Sequence, residues 1–314
     1  MRCMEAIEAN VPTQPHSIAF TLGSRRIFSA RRLLTTVGFT LEHAMSRRMP
    51  DLPRAPDGDG LRILSAPVDR ITQIRHLYPD YIAGGQQRYR RHFIAMDGTF
   101  EDYLDQFSGK TRSTLRRKRR KLETAGGGTL DLRAYRTPDD IDAFFAHALP
   151  LSRKTYQARL LDAGLPETRA ERAHARKRAD DDRLRAFLLF LDGKAIAYLY
   201  LPVEGSTLVY AFLGYDPDHA ALSPGTVLQM AALEELFAEE RFAYFDFTEG
   251  EGAHKAMFGT SSVECASFLL LKPTRANHML LAAQSAFEGA VGAGKALAEK
   301  LGLSNRLRQA LRRG

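Results

Sequence analysis

Residues 185–215, RAFLLFLDGKAIAYLYLPVEGSTLVYAFLGY, limit what this chain can fold into more than any other stretch. Three short runs rich in aromatic and β-branched residues are separated by Asp192-Gly193 and by Glu204-Gly205-Ser206, both turn-forming sequences. Two tight turns between such runs dictate three consecutive antiparallel strands. The next segment, LSPGTVLQMAALEELF (222–237), has helical spacing, and FAYFDFTEG (242–250) is again strand-like and ends in a glycine-containing loop. A strand, a helix and a strand in succession make a parallel crossover. The expected fold is therefore α+β, with a mixed, mostly antiparallel sheet flanked by helices. In the bridging helix Met230, Leu233, Leu236 and Phe237 share one face while Glu235 and Glu239 point away, so one face is expected against the sheet.

The start of that helix has two readings. Ser223 can cap it ordinarily, with Pro224 in the first turn, where the missing N–H is no loss. Alternatively, the turn is kept free of bulk so that its unpaired amides hold an anion. The local pattern does not choose between them.

Upstream, residues 17–45 read as two or three strands broken at Gly23-Ser24, residues 49–60 as loop, and LRILSAP and HFIAMD as further strands. EDYLDQF is helical, and KTRSTLRRKRRKLE follows it, ending at Ala125–Gly128, where three glycines break any helix. That break sets the expected division into an N-terminal α/β region (1–125), a second domain (126–275) and a basic helical tail (276–314). Within the second domain LDLRAY is a strand, and residues 138–156 and 169–186 are helical, the latter mostly solvated.

The charge of +8 calls for an anionic partner: cofactor phosphates, an acidic polymer, nucleic acid or a membrane surface. Eight of the twelve residues in KTRSTLRRKRRK are basic, with only Leu115 and Leu122 as an apolar stripe. Such a run is most often a solvated helix face. Arg112 and Arg116, one turn apart, are candidates to hold a phosphate or uronate together. No aromatic residues are interleaved, which argues against sequence-specific RNA reading. Two cysteines exclude a disulfide framework and suit a reducing compartment. The first sixteen residues lack the apolar core of a secretory signal, so a cytoplasmic location is expected. The nine histidines have no metal-ligand spacing, so no metal is expected. Gly289–Lys295 imitates a phosphate loop but lacks the following Ser or Thr and the preceding strand, and SGKT at 108–111 lacks the upstream glycine.

Four segments in order, TRSTLRRKRRKLE, KTYQARL, LSPGTVLQ and FDFTEGEGAHK, carry a family likeness. Over residues 90–272 the chain resembles the GNAT acyl-CoA transferases, and within them the CelD-like branch related to the Fem-type aminoacyl transferases. One departure is His254, which stands where the branch has an aromatic before its lysine, so a tyrosine role is not carried over. The resemblance implies an acyl-CoA co-substrate whose pyrophosphate is held by Ser223 and the amides of Gly225, Thr226 and Val227. It implies an acyl carbonyl polarised by amides near Leu213, Gly214 and Tyr215. It also implies a fold that in Fem-type enzymes is duplicated.

The chemistry then needs a group to take the acceptor's proton and one to protonate the leaving thiolate. Glu249 is the candidate base, with Asp246 as the alternative, Lys255 a point charge for substrate, and Tyr215 the candidate acid. Lys154, Tyr156 and Gln157, with Arg112, Arg116 and Asp246, are candidates to face the acceptor; inside FDF, Asp246 can equally cap or pair. The expected activity is transfer of an acyl group, acetyl foremost, to an amine or hydroxyl of a small molecule, saccharide or envelope precursor. The alternatives are Fem-like transfer from charged tRNA and a non-catalytic polyanion or membrane-surface binder, for which the basic end RLRQALRRG would lie on an anionic leaflet.

Overall fold

Asp192 and Gly193 both take left-handed backbone angles, with φ of 51° and 73°. This is the geometry that joins two strands through a two-residue turn of matching twist. In the computed structural model, which describes residues 13–22, 25–154 and 164–300, that turn links β6 (Leu184–Leu191) to β7 (Lys194–Glu204). The chain divides into two compact units, one of residues 91–262 and one of residues up to 90 together with those from 263 onward.

In the unit that extends from residue 263, β1 (Thr13–Leu22) and β2 (Arg25–Gly38) are antiparallel, β2 and β3 (Gly60–Pro67) parallel, and β3 antiparallel to the β11 residues 265–271. Residues 41–46, expected as strand, form helix α1 (Leu41–Ser46). Its start is closed by Thr40, whose hydroxyl accepts from the His43 amide while the His43 ring accepts from the Thr40 amide, a reciprocal cap that outweighs the local strand propensity. Helix α2 (Ile71–Leu77) buries Ile71 and Ile74 with Phe268 and Leu270, while Leu269 and Leu271 join Leu280 in a separate cluster. The last strand therefore buries both faces by simple alternation.

In residues 91–262, the end of β4 (Ile82–Ala95) is followed by α3 (Phe100–Asp105) and α4 (Gly109–Ala125). Gly126 caps α4, and Gly127 and Gly128 follow with φ of 79° and 104°. These glycines end a helix inside the unit; the compact units part elsewhere, at residues 90–91 and 262–263. Then come β5 (Asp131–Tyr135), α5 (Pro138–Lys154) and α6 (Arg169–Asp180). After β6 and β7 the third expected strand divides into β8 (Thr207–Val209) and β9 (Phe212–Tyr215). Helix α7 (Pro224–Ala238), β10 (Tyr244–Asp246), α8 (Ala253–Phe258) and β11 (Ser261–Leu271) complete this part. Helix α9 (Arg275–Lys300) follows. The tail 306–314 lies outside the described residues.

The sheet is mostly antiparallel, and its one parallel pair in this unit, β8 with β10, is the expected crossover. Phe187 and Leu189 of β6 pack with α7, while Ala186, Leu188 and Phe190 pack with α5 and α6, so helices cover both faces. Helix α7 is more enclosed than its spacing predicts. Leu233 and Leu236 are buried as expected, but so are Leu228, Gln229, Ala231 and Ala232, because α3 and α4 cover the side turned from the sheet. Glu239 takes Arg185, a guanidinium only 3% exposed, at 2.9 Å.

Candidate active site

The site is built where β8 and β9 part. β8 stays with β10, whereas β9 pairs only with β7, and Tyr210 at the break donates its amide to the Asp246 carbonyl at 2.9 Å. A strand that leaves its neighbour exposes backbone groups along the gap. Two glycines let other groups close on β9. A methyl at Gly214 would lie 2.4 Å from Cε1 of Tyr198, and one at Gly225 would lie 3.1 Å from Leu213 Cδ2 and 3.2 Å from Tyr215 Cδ1. Gly225 is thus buried against β9, with its Cα turned to side chains.

Ser223 does occupy the cap position of α7, but with φ 55° and no side-chain bond to the first turn. Pro224 has no N–H, and the amides of Gly225 and Thr226 meet no acceptor among the described residues. The Val227 amide, expected to be open with them, donates instead to the Ser223 carbonyl at 3.1 Å. Two bare amides, not three, stand in the first turn, at the positive end of a 15-residue helix. Beside them Thr226, Val227 and Met230 line a cleft with Phe100, Leu104 and Leu115 of α3 and α4, rimmed by Arg112, Arg116, Lys118 and Arg119. Arg112 is paired with Asp105, and Arg119 with Glu123 at 2.9 Å and Glu234 at 2.6 Å. Arg116 and Lys118 have no hydrogen-bonded or ion-paired partner among the described residues, and Lys121 anchors α4 to the Ala221 carbonyl at 3.0 Å. The basic run, which composition alone reads as a solvated face, stands over the start of α7.

The remaining candidates are distributed differently. Asp246 is fully buried; its two oxygens take Arg91 at 3.0 and 2.5 Å, and one also accepts the Thr248 amide at 2.9 Å. Both carboxylate oxygens are thus engaged within the protein, the pairing that is the alternative to a role toward the acceptor. Lys154 is ion-paired to Asp216 at 3.0 Å and does not line the cleft with Arg112 and Arg116. Tyr156 and Gln157 lie outside the described residues. Tyr215 is 40% exposed at the end of β9. Glu249 is exposed in a loop whose Thr248 and Gly250 have φ of 61° and 83°, and its carbonyl, not its carboxylate, receives Lys255. Burial pulls the Lys255 ammonium below its ordinary range, against Asp246 and Glu249, which raise it.

Four residues escape the sequence reading: Arg91, Lys118, Gln229 and His254. His254 Nε2 lies 2.7 Å from Oε1 of Gln229, a side chain with no exposure. Desolvation, then the charges of Lys118 and Lys255, hold the imidazole below its usual range. The break in the aromatic-lysine pattern at His254 is the only signal the sequence offered. Among the described residues no group of three or more His, Cys, Asp or Glu is placed to hold a metal, and no helix is long and apolar enough to cross a membrane.

Residues 109–256 match a family model described as an acetyltransferase (GNAT) domain. This stretch is similar to GNAT domains. The match supports acyl transfer as the class of activity, with an acyl-CoA as co-substrate in general, and the two bare amides beside unpaired cations fit a diphosphate. Among solved structures, FemX is similar at 12% identity and a TM-score of 0.50, over 83% of this chain and 89% of FemX. That likeness speaks to the fold. L-PGS from Bacillus licheniformis (12% identity, 71% of each chain, TM-score 0.43) and a GCN5-related N-acetyltransferase from Kribbella flavida (13% identity, 68% of this chain and 69% of that one, TM-score 0.37) are more distant. No curated protein matches the chain.

Proposed function

We propose that residues 91–262 move an acyl group, acetyl foremost, from coenzyme A to an amine or hydroxyl by direct attack on the thioester. The observation that carries this reading is the pair of unsatisfied amides at Gly225 and Thr226 beside the unpartnered Arg116 and Lys118. Backbone donors at a helix start and fixed cations together suit a diphosphate with a further phosphate. Amides along the free edge of β9, around Leu213–Tyr215, would polarise the thioester carbonyl. Tyr215, exposed at the strand end, is the proposed acid for the leaving thiolate, and the half-buried Lys255 a charge that orients an anionic acceptor. The CelD-like resemblance favours a saccharide or envelope precursor, and two cysteines in the whole chain favour the cytoplasm.

Thermal shift tests this. A ligand at 100 times its Kd adds about 2.7 kcal/mol to the folded state, so acetyl-CoA should raise the melting temperature where inorganic phosphate at equal ionic strength does not. A second reading rests on Lys110, Arg117 and Arg120, exposed and without partners on the outer side of α4. These suit an RNA backbone, as Fem-like transfer from charged tRNA would require. Stabilisation by charged tRNA and not by acetyl-CoA would favour it over the first.

A further inference from the structure

Gln229 lies about one turn into α7 beyond Thr226, about 4.5 Å along the axis for a rise of 1.5 Å per residue. It is fully buried, yet its amide nitrogen meets no acceptor while its oxygen meets the His254 ring. A buried amide facing a histidine this closely decides which ring nitrogen carries the hydrogen. With the carbonyl oxygen as the end presented, a hydrogen bond here requires the hydrogen on Nε2. Nδ1 makes no hydrogen bond among the described residues, which leaves its lone pair free in that tautomer.

The ring's surroundings favour the uncharged form. Phe258 stands 4.7 Å away, Phe247 6.2 Å and Tyr210 6.4 Å, centroid to centroid. The charged groups that act on it are two cations, Lys118 from α4 and Lys255 from α8 itself. Lys118 also rims the cleft beside Thr226, and Tyr210 marks the break between β8 and β9. The ring therefore lies between the diphosphate cradle and the strand gap.

We propose that Gln229 and His254 form a proton-transfer pair, in which the buried amide oxygen fixes the hydrogen on Nε2 and leaves Nδ1 to take the acceptor's proton. This role rests on the acyltransferase reading. The acceptor's oxygen or nitrogen bonds to the acyl carbon as the carbon–sulfur bond breaks. Its proton passes to Nδ1. The thiolate, carrying the electron pair of the broken bond, takes the Tyr215 hydroxyl proton, and coenzyme A leaves as a thiol. The imidazolium then releases its proton to water and the tyrosinate takes one back, so that both side chains return to neutral. Gln229 is the positioning residue. The assignment puts the base on α8 in place of Glu249 in the preceding loop.

Nitrogen NMR of the full chain labelled with 15N-histidine, with His254 assigned through His254→Gln, reads the tautomer directly. The expected result is Nε2–H in at least tenfold excess. Gln229→Leu should remove that preference, while Gln229→Glu should keep it and move the titration midpoint up in pH, to a proton concentration at least tenfold lower. A dominant Nδ1–H form, or no response to Gln229→Leu, overturns the pairing. Diethyl pyrocarbonate, which modifies neutral imidazole, tests the location, and saturating acetyl-CoA should slow labelling of His254 at least fivefold. Binding of acetyl-CoA without protection overturns the proton-transfer role alone. Absence of acetyl-CoA binding overturns the reading beneath that role, while the tautomer result stands by itself.

Discussion

Arg91 and Asp246, 155 residues apart, form a buried two-point ion pair at 3.0 and 2.5 Å, with side-chain exposures of 7% and 0%. The pair ties β4 to the end of β10, directly before the loop that leads to α8. Removing one partner leaves the other charged and dry, which costs about 3–5 kcal/mol. Arg91→Met should therefore lower the stability of the chain by that amount in urea denaturation. Combining it with Asp246→Leu should recover most of the loss. Equal stability of Arg91→Met and wild type would show that the pair is not buried as described.

Gly214→Ala places a methyl against the Tyr198 ring, at 2.4 Å. Overpacking of this kind typically costs about 1–3 kcal/mol, read as a fall in melting temperature. Shortening the obstacle with Tyr198→Leu in the same chain should restore part of it, whereas an additive double variant would place the strain elsewhere.

His254 gives a pH dependence whose sign follows from its depressed affinity for protons. The unfolded chain, with the ordinary value of 6.5, binds a proton there before the folded one does. Stability from this group is thus fully present above that value and declines as pH falls through it toward the folded value. His254→Gln should flatten that part of the stability curve. A steeper acid decline in the variant would contradict the assignment.

The parts of this fold written in local sequence were legible there. Asp192-Gly193 announces its hairpin because few residues accept two successive left-handed conformations, and Pro224 begins α7 where its ring fits. Helix α7 illustrates what was not legible. Its periodicity predicts one buried face, but in the second cover, α4, nine of the 17 residues are charged, and Leu122, 2% exposed, and the half-buried Leu115 suffice to dock it. For the same reason Lys118 read as solvated although it stands beside a cleft. Asp246 and Arg91 meet only through sheet pairing, which no spacing encodes. Val227 and Ser223 show the finest limit, since which first-turn amide stays bare depends on one carbonyl's direction.

The central claim is that the first turn of α7 cradles a diphosphate, and Thr226→Asp isolates it. A carboxylate in the first turn favours the helix by about 0.3–1 kcal/mol, so the melting temperature should hold or rise, while the added negative charge repels a phosphate. Isothermal titration of acetyl-CoA into wild type and Thr226→Asp should show binding that weakens at least tenfold in the folded variant. Undiminished affinity in Thr226→Asp, or no binding by wild type, would contradict the account.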